Sequence, residues 1–197
     1  MSTEKLRILS GRWQDTFVRR GGERVVGEVQ DNQIQDNAFV VVSSLLANQF
    51  DIANVPIQTP TTFGFSHIDY GIGDPSWDLD VNQPVVKDPA SPTILSAVYR
   101  QTIAQSQISF VPEGDPFGGN GISQVPTNRI RLNIELGENE YVGPLREFGI
   151  FCRYGDNQLV ANTINQGLIF NWVSHPLIEK DDTLKIERII EITINRC

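Results

Sequence analysis

Carboxylates that crowd one loop are the first residues whose types and spacing could support chemistry. Side-chain oxygens at such spacing can bind Ca²⁺, a hard cation that takes about six to eight oxygen ligands. The spacing does not match an EF-hand loop, because no acidic residue stands at its closing position. Turn chemistry explains the same aspartates, so we predict no metal site. The weak candidates for metal ligands are Asp74, Asp78 and Asp80.

The two histidines and two cysteines of the chain provide no catalytic constellation. His67 stands two residues before Asp69 and His175 lies in a predicted turn, and neither has a nucleophile or a second histidine at metal-binding spacing. Isolated histidines of this kind are usually solvated or hydrogen-bonded structural groups. Cys152 alternates with apolar neighbours, which favours a buried position, and residues 71–73 lack the third glycine of a dinucleotide-binding motif. We therefore predict that the protein is not an enzyme and binds no cofactor.

Tryptophan and arginine residues in the first segment and in one long loop are candidates for protein contacts. Both residue types are enriched at the hot spots of interfaces. Residues 1–24 hold six basic and three acidic side chains, a net charge of +3, whereas the rest hold ten and twenty-one, a net of −11. We expect this segment to become ordered on an acidic partner surface, and its deletion to leave the remaining fold intact. The candidate assembly contacts are Arg7, Arg12, Trp13, Arg19, Arg20 and Trp77.

Composition restricts the classes of protein to which the chain could belong. It has 197 residues, of which 40% are hydrophobic and 20% are charged, as in one folded domain or two small ones. The formal net charge of −8 argues against a protein that coats nucleic acid. No apolar run approaches the roughly 20 residues that span a bilayer, and the N-terminus lacks the apolar core of a signal peptide. Two cysteines do not form a disulfide framework, so we expect synthesis in a reducing cytoplasm.

One segment has the periodicity of an amphipathic helix. Asp36 or Asn37 could cap its first turn, because a short polar side chain accepts hydrogen bonds from the free amides there. The apolar residues recur at three- and four-residue spacing and form one stripe, which predicts a helix near residues 36–49. The stripe consists of Ile34, Ala38, Val41, Val42, Leu45 and Leu46.

The rest of the chain is predicted to be mainly β. Apolar and polar residues alternate along residues 129–136, 183–195 and 98–111, and a period of two directs the two sets to opposite faces of a sheet. Several such segments indicate an antiparallel β-sandwich, which we assign to residues 31–197 with the helix included. Residues 1–30 are predicted to form an extended basic N-terminal arm, or one or two edge strands. The shorter predicted strands are 62–70, 148–154, 158–164 and 168–173.

Three short motifs occur in an order that resembles a known family. They are Tyr70-Gly-Ile-Gly73 after an early strand, Leu145-Arg-Glu-Phe-Gly-Ile-Phe151 before a hairpin, and a closing segment that runs from His175-Pro to Glu187. In this order they resemble bacteriophage tail proteins, namely the N-terminal domains of tail fibres and tail collars and related baseplate attachment proteins. The resemblance covers roughly residues 35–195. Related contractile injection systems use similar small adaptors.

The resemblance implies a virion structural protein of the tail, made in the host cytoplasm, that acts as an adaptor at the baseplate or the tail-fibre attachment. Its partners would be other copies of itself in a homo-oligomer, and tail, baseplate or fibre proteins. Nucleic acid, membrane insertion and a small-molecule substrate are not expected. We expect no fibre shaft after the attachment-like part, which favours an adaptor over a whole fibre. An alternative is a carbohydrate-binding β-sandwich that uses loop aromatics such as Trp77, with Ca²⁺ on loop aspartates.

Overall fold

The fold is mainly antiparallel β-sheet. The computed structural model describes residues 9–47, 64–79, 88–153, 163–165 and 167–195. It divides into two compact units, and each unit contains one sheet. Unit 1 draws on Met1–Asn32, Ala104–Glu140 and Asp181–Cys197, and unit 2 on Gln33–Ile103 and Tyr141–Lys180.

The described residues contain eleven strands and one α-helix. No helix among them is long and apolar enough to cross a membrane. Short 3₁₀ turns lie at Pro75–Leu79 and Gln105–Gln107. In chain order the elements are β1 (Leu9–Arg19), β2 (Arg24–Val26), β3 (Gln30–Asp31), β4 (Gln33–Ile34), α1 (Asp36–Ala47), β5 (Gly64–Gly71), β6 (Ala97–Thr102), β7 (Ile108–Phe110), β8 (Arg129–Leu136), β9 (Gly143–Arg153), β10 (Leu168–Lys180) and β11 (Leu184–Ile194).

Each unit has its own sheet order. In unit 1 the order is β2-β1-β11-β8-β7, and β3 also pairs with β1. In unit 2 the order is β4-β10-β9-β5-β6, and α1 packs against β10. All pairings are antiparallel. The core of unit 2 includes a buried cluster of Ile94, Phe151, Ile169 and Trp172.

The predicted fold class is confirmed as mainly β, with two antiparallel sheets and little helix, a content consistent with a β-sandwich. The helix predicted near residues 36–49 is present at Asp36–Ala47. A single strand at 98–111 was a wrong prediction, because β6 ends at Thr102 in one sheet and β7 begins at Ile108 in the other. The polar residues between them form a 3₁₀ turn instead of continuing the ladder. Most of the strand predicted at 158–164 lies outside the described residues.

The described part of the predicted N-terminal arm is a set of sheet strands. β1 lies between β2 and β11, and it pairs with β11 from Leu9 opposite Ile194 to Arg19 opposite Leu184. Leu9 and Trp13 are buried. The interpretation of residues 1–30 as an arm separate from the β-domain is therefore corrected for these residues. Local periodicity could not reveal this, because the partner of β1 is the last strand of the chain.

A buried ion pair also ties β1 to β11. Asp15 and Arg188 are directly opposite in the register, and their side chains are almost completely buried. Arg188 donates from Nε and Nη2 to the two carboxylate oxygens of Asp15 at 2.7 and 2.6 Å, and its guanidinium carbon lies 5.4 Å from the Trp13 ring centroid. A buried charge is tolerated only when it is well paired. Asp15 on β1 therefore supplies a counter-charge for the buried Arg188 on β11.

Arginines of the N-terminal strands also form exposed ion pairs within unit 1. Each exposed ion pair contributes little to the free energy of unfolding, so these pairs add little to the stability of the sheet. The basic character of the first segment is thus matched by carboxylates of the same copy. The pairs, with their nitrogen–oxygen distances, are Arg19–Asp181 at 2.6 Å, Arg20–Glu138 at 3.0 Å and Arg24–Glu187 at 2.8 Å.

Replacing Asp181 by asparagine is expected to make the stability of the protein depend less on pH in the acid range. Hydrogen bonds from the Thr183 hydroxyl and N–H, and then from Arg19, hold the pKa of Asp181 well below its usual range. The stabilisation is present above the unfolded-state pKa of about 3.9 and is lost as the pH falls through the lower folded-state pKa. Urea unfolding at a series of pH values measures the difference: Asp181→Asn should be less stable than wild type at neutral pH and equal to it in strong acid.

Asp182→Asn is the matched control for this variant. It removes the same charge from the neighbouring residue, whose carboxylate makes no hydrogen bond within the described part of the chain. We expect this control to retain the acid dependence of the wild type. Equal behaviour of the two variants would show that the Thr183 and Arg19 contacts of Asp181 do not stabilise the fold.

Candidate functional site

The first two motifs and the first part of the third, 175–180, come together in unit 2, whereas residues 181–187 of the third belong to unit 1. The parts in unit 2 lie on or next to the adjacent strands β5, β9 and β10, where Gly71 is opposite Glu147 and Glu147 is opposite Ser174. Residues of these motifs hold the segment between β5 and β6 against the sheet. We call the described residues of that segment, 72–79 and 88–96, the anchored loop.

Glu147 is the first anchor of this loop. Its fully buried carboxylate accepts hydrogen bonds from the N–H groups of Leu95 (3.1 Å) and Ser96 (2.7 Å) and from Nε1 of Trp172 (2.8 Å). These three donors offset the cost of removing the carboxylate from water. Gly71 provides the necessary space, since a Cβ atom there would lie 2.5 Å from Glu147 Oε1. Strand β9 thus fixes the end of the anchored loop that leads into β6.

Arg146 is the second anchor. Its guanidinium donates to Asp78 Oδ2 from Nε (2.9 Å) and Nη2 (2.7 Å), and to the backbone oxygen of Ile72 from Nη1 (3.2 Å). The hydrogen bonds between the two side chains lower the pKa of Asp78 and raise that of Arg146. Gly73 has a φ of +54°, and a Cβ atom there would overlap the ring of Trp77. The start of the anchored loop is therefore fixed by a charged pair and a glycine turn.

Strand β10 is irregular where it passes the second anchor. Its register with β9 shifts between Ser174 and Ile178. Pro176 has no N–H to contribute to a ladder, which suits an interruption at this point. The backbone of Leu177, within this interruption, contributes to the lowered pKa of Asp78. The irregular part of β10 thus lies close to the partner of Arg146.

Tryptophan packing supports the anchored loop from below. The ring of Trp77 meets that of Trp172 edge to face, with centroids 5.9 Å apart and an interplanar angle of 88°. Trp77 packs against the buried cluster that contains Ile94 and Trp172. By contrast, Leu79, the last residue of the first described stretch, and Leu95, shortly before β6, are 87% and 61% exposed. The loop is held rigidly from within and presents leucine side chains outward.

The described contacts of Asp69 and His67 include an arginine and a serine, respectively. Asp69 is opposite Arg100, which donates to its two oxygens at 2.5 and 2.9 Å, and it accepts the N–H of Asn165 at 2.6 Å. Burial raises the pKa of Asp69, and these hydrogen bonds oppose that change. The ring of His67 lies 2.9 Å from the hydroxyl of Ser66. Asp69 serves as a buried link between β5, β6 and the turn that contains Asn165.

The weak metal candidates are likewise engaged elsewhere or outside the described residues. Asp74 accepts the N–H of Ser76 at 2.8 Å, which lowers its pKa. Asp78 binds Arg146, and Asp80 is not among the described residues. Within those residues, no group of three or more potential ligand side chains could hold a metal ion. Cys152 is buried as predicted, and burial raises the pKa of its thiol.

The candidate assembly contacts occupy very different positions. Trp13 is buried in unit 1, and Trp77 is half-buried in unit 2. Arg12 has a side chain that is 46% exposed; it lies 3.8 Å from Glu191, and its guanidinium carbon lies 5.0 Å from the Phe117 ring centroid. Arg19 and Arg20 form the ion pairs described above, and Arg7 lies outside the described residues. Of the described candidates in unit 1, Trp13 is therefore a core residue, and the three arginines each lie close to a carboxylate of the same unit.

Sequence reasoning missed a second ionic cluster, in unit 1. Glu191 accepts hydrogen bonds from Arg129 (2.6 Å) and Arg131 (2.9 Å), and Arg131 also donates to Asp115 and to the backbone oxygen of Gly119. Burial raises the pKa of Glu191, but its hydrogen bonds outweigh burial and leave the pKa lowered. The alternation of β8 placed Arg131 on a solvated face, whereas the glycine-rich loop before β8 covers it. In the sequence, only Asp115 near the glycines of this loop indicated that the loop could bind Arg131.

Comparison with known proteins identifies no relative: no family model, no curated protein and no solved structure matches the chain. The geometry of the site therefore carries the interpretation. Glu147, Arg146 and Asp69 are each held by several fixed partners, which immobilises a loop and its sheet. Such an arrangement suits a surface that must keep one shape.

Proposed function

We propose that this chain is a structural protein of a phage tail, or of a related contractile injection apparatus, that acts by assembly rather than catalysis. In this role it is an adaptor at the baseplate or at the fibre attachment, located in the virion tail. It forms a homo-oligomer and binds neighbouring tail, baseplate or fibre proteins.

One observation carries the proposal. The polar and glycine residues of the first two motifs, namely Arg146, Glu147, Gly71 and Gly73, are directed inward and anchor one loop. Among the residues that this loop exposes are two large apolar ones, Leu79 and Leu95. Exposed apolar side chains on a preformed loop favour binding to another protein, because little conformational entropy is lost on contact.

The alternative of a carbohydrate-binding module has less support. Trp77, the loop aromatic proposed to stack on a sugar, packs against Trp172. Asp78, a proposed Ca²⁺ ligand, is bound by Arg146. Both groups would have to leave their present partners before they could bind a ligand.

Charged substitutions at the two leucines are expected to prevent incorporation into particles. In the variant Leu79→Asp/Leu95→Asp, two carboxylates would enter a contact where nothing pairs with them, which is costly. Incorporation, measured by quantifying the chain in purified particles after complementation, should fall by more than about tenfold. Thermal unfolding should stay close to wild type, because both side chains are exposed.

Val142→Asp is the control, since this valine is 60% exposed in the same unit and lies outside the anchored loop. It should be incorporated like wild type. Normal incorporation of the double variant would exclude the anchored loop as the docking surface. A wild-type chain that is found free and never in a particle by co-purification or electron cryo-microscopy would contradict the proposed function itself.

A further inference from the structure

The glycine-rich loop before β8 contains the only Asn-Gly pair of the chain, Asn120-Gly121. We call residues 115–121 the covering loop, because they lie over Arg131. An asparagine before glycine is chemically labile, since the backbone nitrogen of the glycine can attack the side-chain amide carbon. Glycine permits this attack most readily, because it has no side chain in the way and its backbone is the least restricted. Asn120 is exposed, so its side chain is accessible to this reaction.

The attacking nitrogen is less constrained than those of its neighbours. The N–H of Gly118 donates to Glu191 at 3.1 Å, and the N–H of Gly119 donates to the Pro116 oxygen at 3.1 Å. Among the described residues, the N–H of Gly121 has no such acceptor. An amide that donates to a fixed acceptor must give up that hydrogen bond before it can react. The Gly121 nitrogen does not bear this cost.

The covering loop itself favours glycine after Asn120. A Cβ atom at Gly121 would lie 2.9 Å from Asp115 Oδ1, and one at Gly119 would lie 2.6 Å from Asp115 Oδ2. This carboxylate is held in place by Arg131, whose Nη2 donates to it at 3.0 Å. A bulkier residue at position 121 would hinder ring closure and protect the asparagine, but it would press on Asp115. The labile pair thus follows from the way in which Arg131 is covered.

We propose that Asn120 is a site of spontaneous deamidation and that its conversion loosens the covering loop. The Gly121 nitrogen forms a bond to Cγ of Asn120, the bond from Cγ to Nδ2 breaks, and ammonia leaves with the proton of the Gly121 N–H. A water molecule then opens the succinimide ring at either carbonyl carbon and gives aspartate or isoaspartate. No electrons are transferred, and water is the only co-reactant. The product carries a carboxylate where the chain had a neutral amide.

The conversion acts on Arg131 through the backbone. Arg131 Nη1 donates to the backbone oxygens of Gly119 and Gly121, the residues on either side of Asn120. In isoaspartate the main chain passes through the former side chain, so the backbone between these two oxygens becomes longer by a carbon atom. We expect at least one of the two hydrogen bonds to be lost. A buried guanidinium with fewer acceptors destabilises the surrounding structure.

Peptide mapping by mass spectrometry tests the site in the purified full chain, incubated at mildly alkaline pH in isotopically labelled water. Opening of the succinimide introduces an oxygen atom from water, so only conversion during the incubation carries the label. Asn128 is the internal control: it is exposed in the same unit but is followed by Arg129, whose N–H donates to Thr127. In the folded chain Asn120 should convert more than about tenfold faster than Asn128.

Asn120→Gln is the matched variant, because glutamine keeps the amide but would have to close a larger ring. It should show no conversion at position 120, and its thermal unfolding should match that of fresh wild type. Gly121→Ala is less suitable, since its Cβ atom would contact Asp115. Converted wild type, separated by anion exchange, should show faster amide exchange in residues 115–123 than Asn120→Gln incubated in the same way. The thermal transition of unit 1 should also be lower in the converted chain.

Two results would overturn the proposal. The first is a folded chain in which Asn120 converts no faster than Asn128, while the same chain in urea converts at Asn120; the fold would then protect the pair. The second is a converted chain whose amide exchange and unfolding equal those of incubated Asn120→Gln, since the covering loop would then tolerate the change. These measurements use the purified chain alone, so they do not depend on the proposed function or on incorporation into a particle.

Discussion

A chain that begins at residue 25 is expected to fail to fold unit 1. The deletion removes β1, which occupies an interior position between β2 and β11 and pairs with β11 along its whole length. It also removes Leu9 and Trp13 from the core, at a cost of about 1.5–3 kcal/mol for each large apolar side chain. Amide hydrogen exchange should show loss of protection in β11 and β8, and the thermal transition of this unit should disappear.

A single substitution tests the same dependence without removing a strand. Asp15→Ala removes the carboxylate that binds the buried Arg188, and breaking a buried ion pair by removing one member costs about 3–5 kcal/mol. That is a large share of the roughly 5–15 kcal/mol that stabilise a typical domain. Urea unfolding measures the loss of stability.

The double variant Asp15→Leu/Arg188→Met is the control for the Asp15 substitution. Because it removes both charges and restores apolar volume, it should regain most of the stability. A truncated chain that keeps protected amides in β11 would contradict both expectations. Residues 1–24 would then behave as the separate arm that their charge alone suggests.

Alternation along the chain predicted the strands whose two faces differ. In β8, Leu132, Ile134 and Leu136 are buried as their period of two requires. The same reasoning failed for β1, because its apolar residues are sparse and its glycine reads as an interruption. Its place in the sheet depends on β11, and sequence distance hides that pairing. A strand inserted between distant partners cannot be recognised from its own pattern.

The positions of charged residues in the core were predictable only in part. Arg188 interrupts an apolar face of β11, which signals a buried cation in need of a partner. The partner, Asp15, is 173 residues away, and nothing in the local sequence selects it from the 24 acidic residues of the chain. The order of the three motifs was visible in the sequence. Their convergence depends on the sheet order β10-β9-β5, which no motif encodes alone.

Glu147→Gln is expected to release the anchored loop and to destabilise unit 2 by about 2–3 kcal/mol. The carboxylate accepts hydrogen bonds from two backbone N–H groups and from the indole of Trp172. An amide of the same shape has a single oxygen, and its NH₂ group would face a donor. At least one buried N–H would then lose its acceptor, which costs about 1–3 kcal/mol, and the opposed donors add to that. Urea unfolding monitored by tryptophan fluorescence measures the change.

Limited proteolysis distinguishes release of the loop from general unfolding. In Glu147→Gln, cleavage within residues 72–96 should become faster, while β11 and β8 in unit 1 keep their amide protection. Glu135→Gln is the control: it makes the same chemical change on an exposed carboxylate that pairs with Lys185, and it should unfold like wild type. A Glu147→Gln chain with the stability and cleavage rate of wild type would show that this carboxylate does not anchor the loop. If the loop is released in Glu147→Gln and this variant is still incorporated into particles, docking requires the apolar leucine side chains but not a rigid loop.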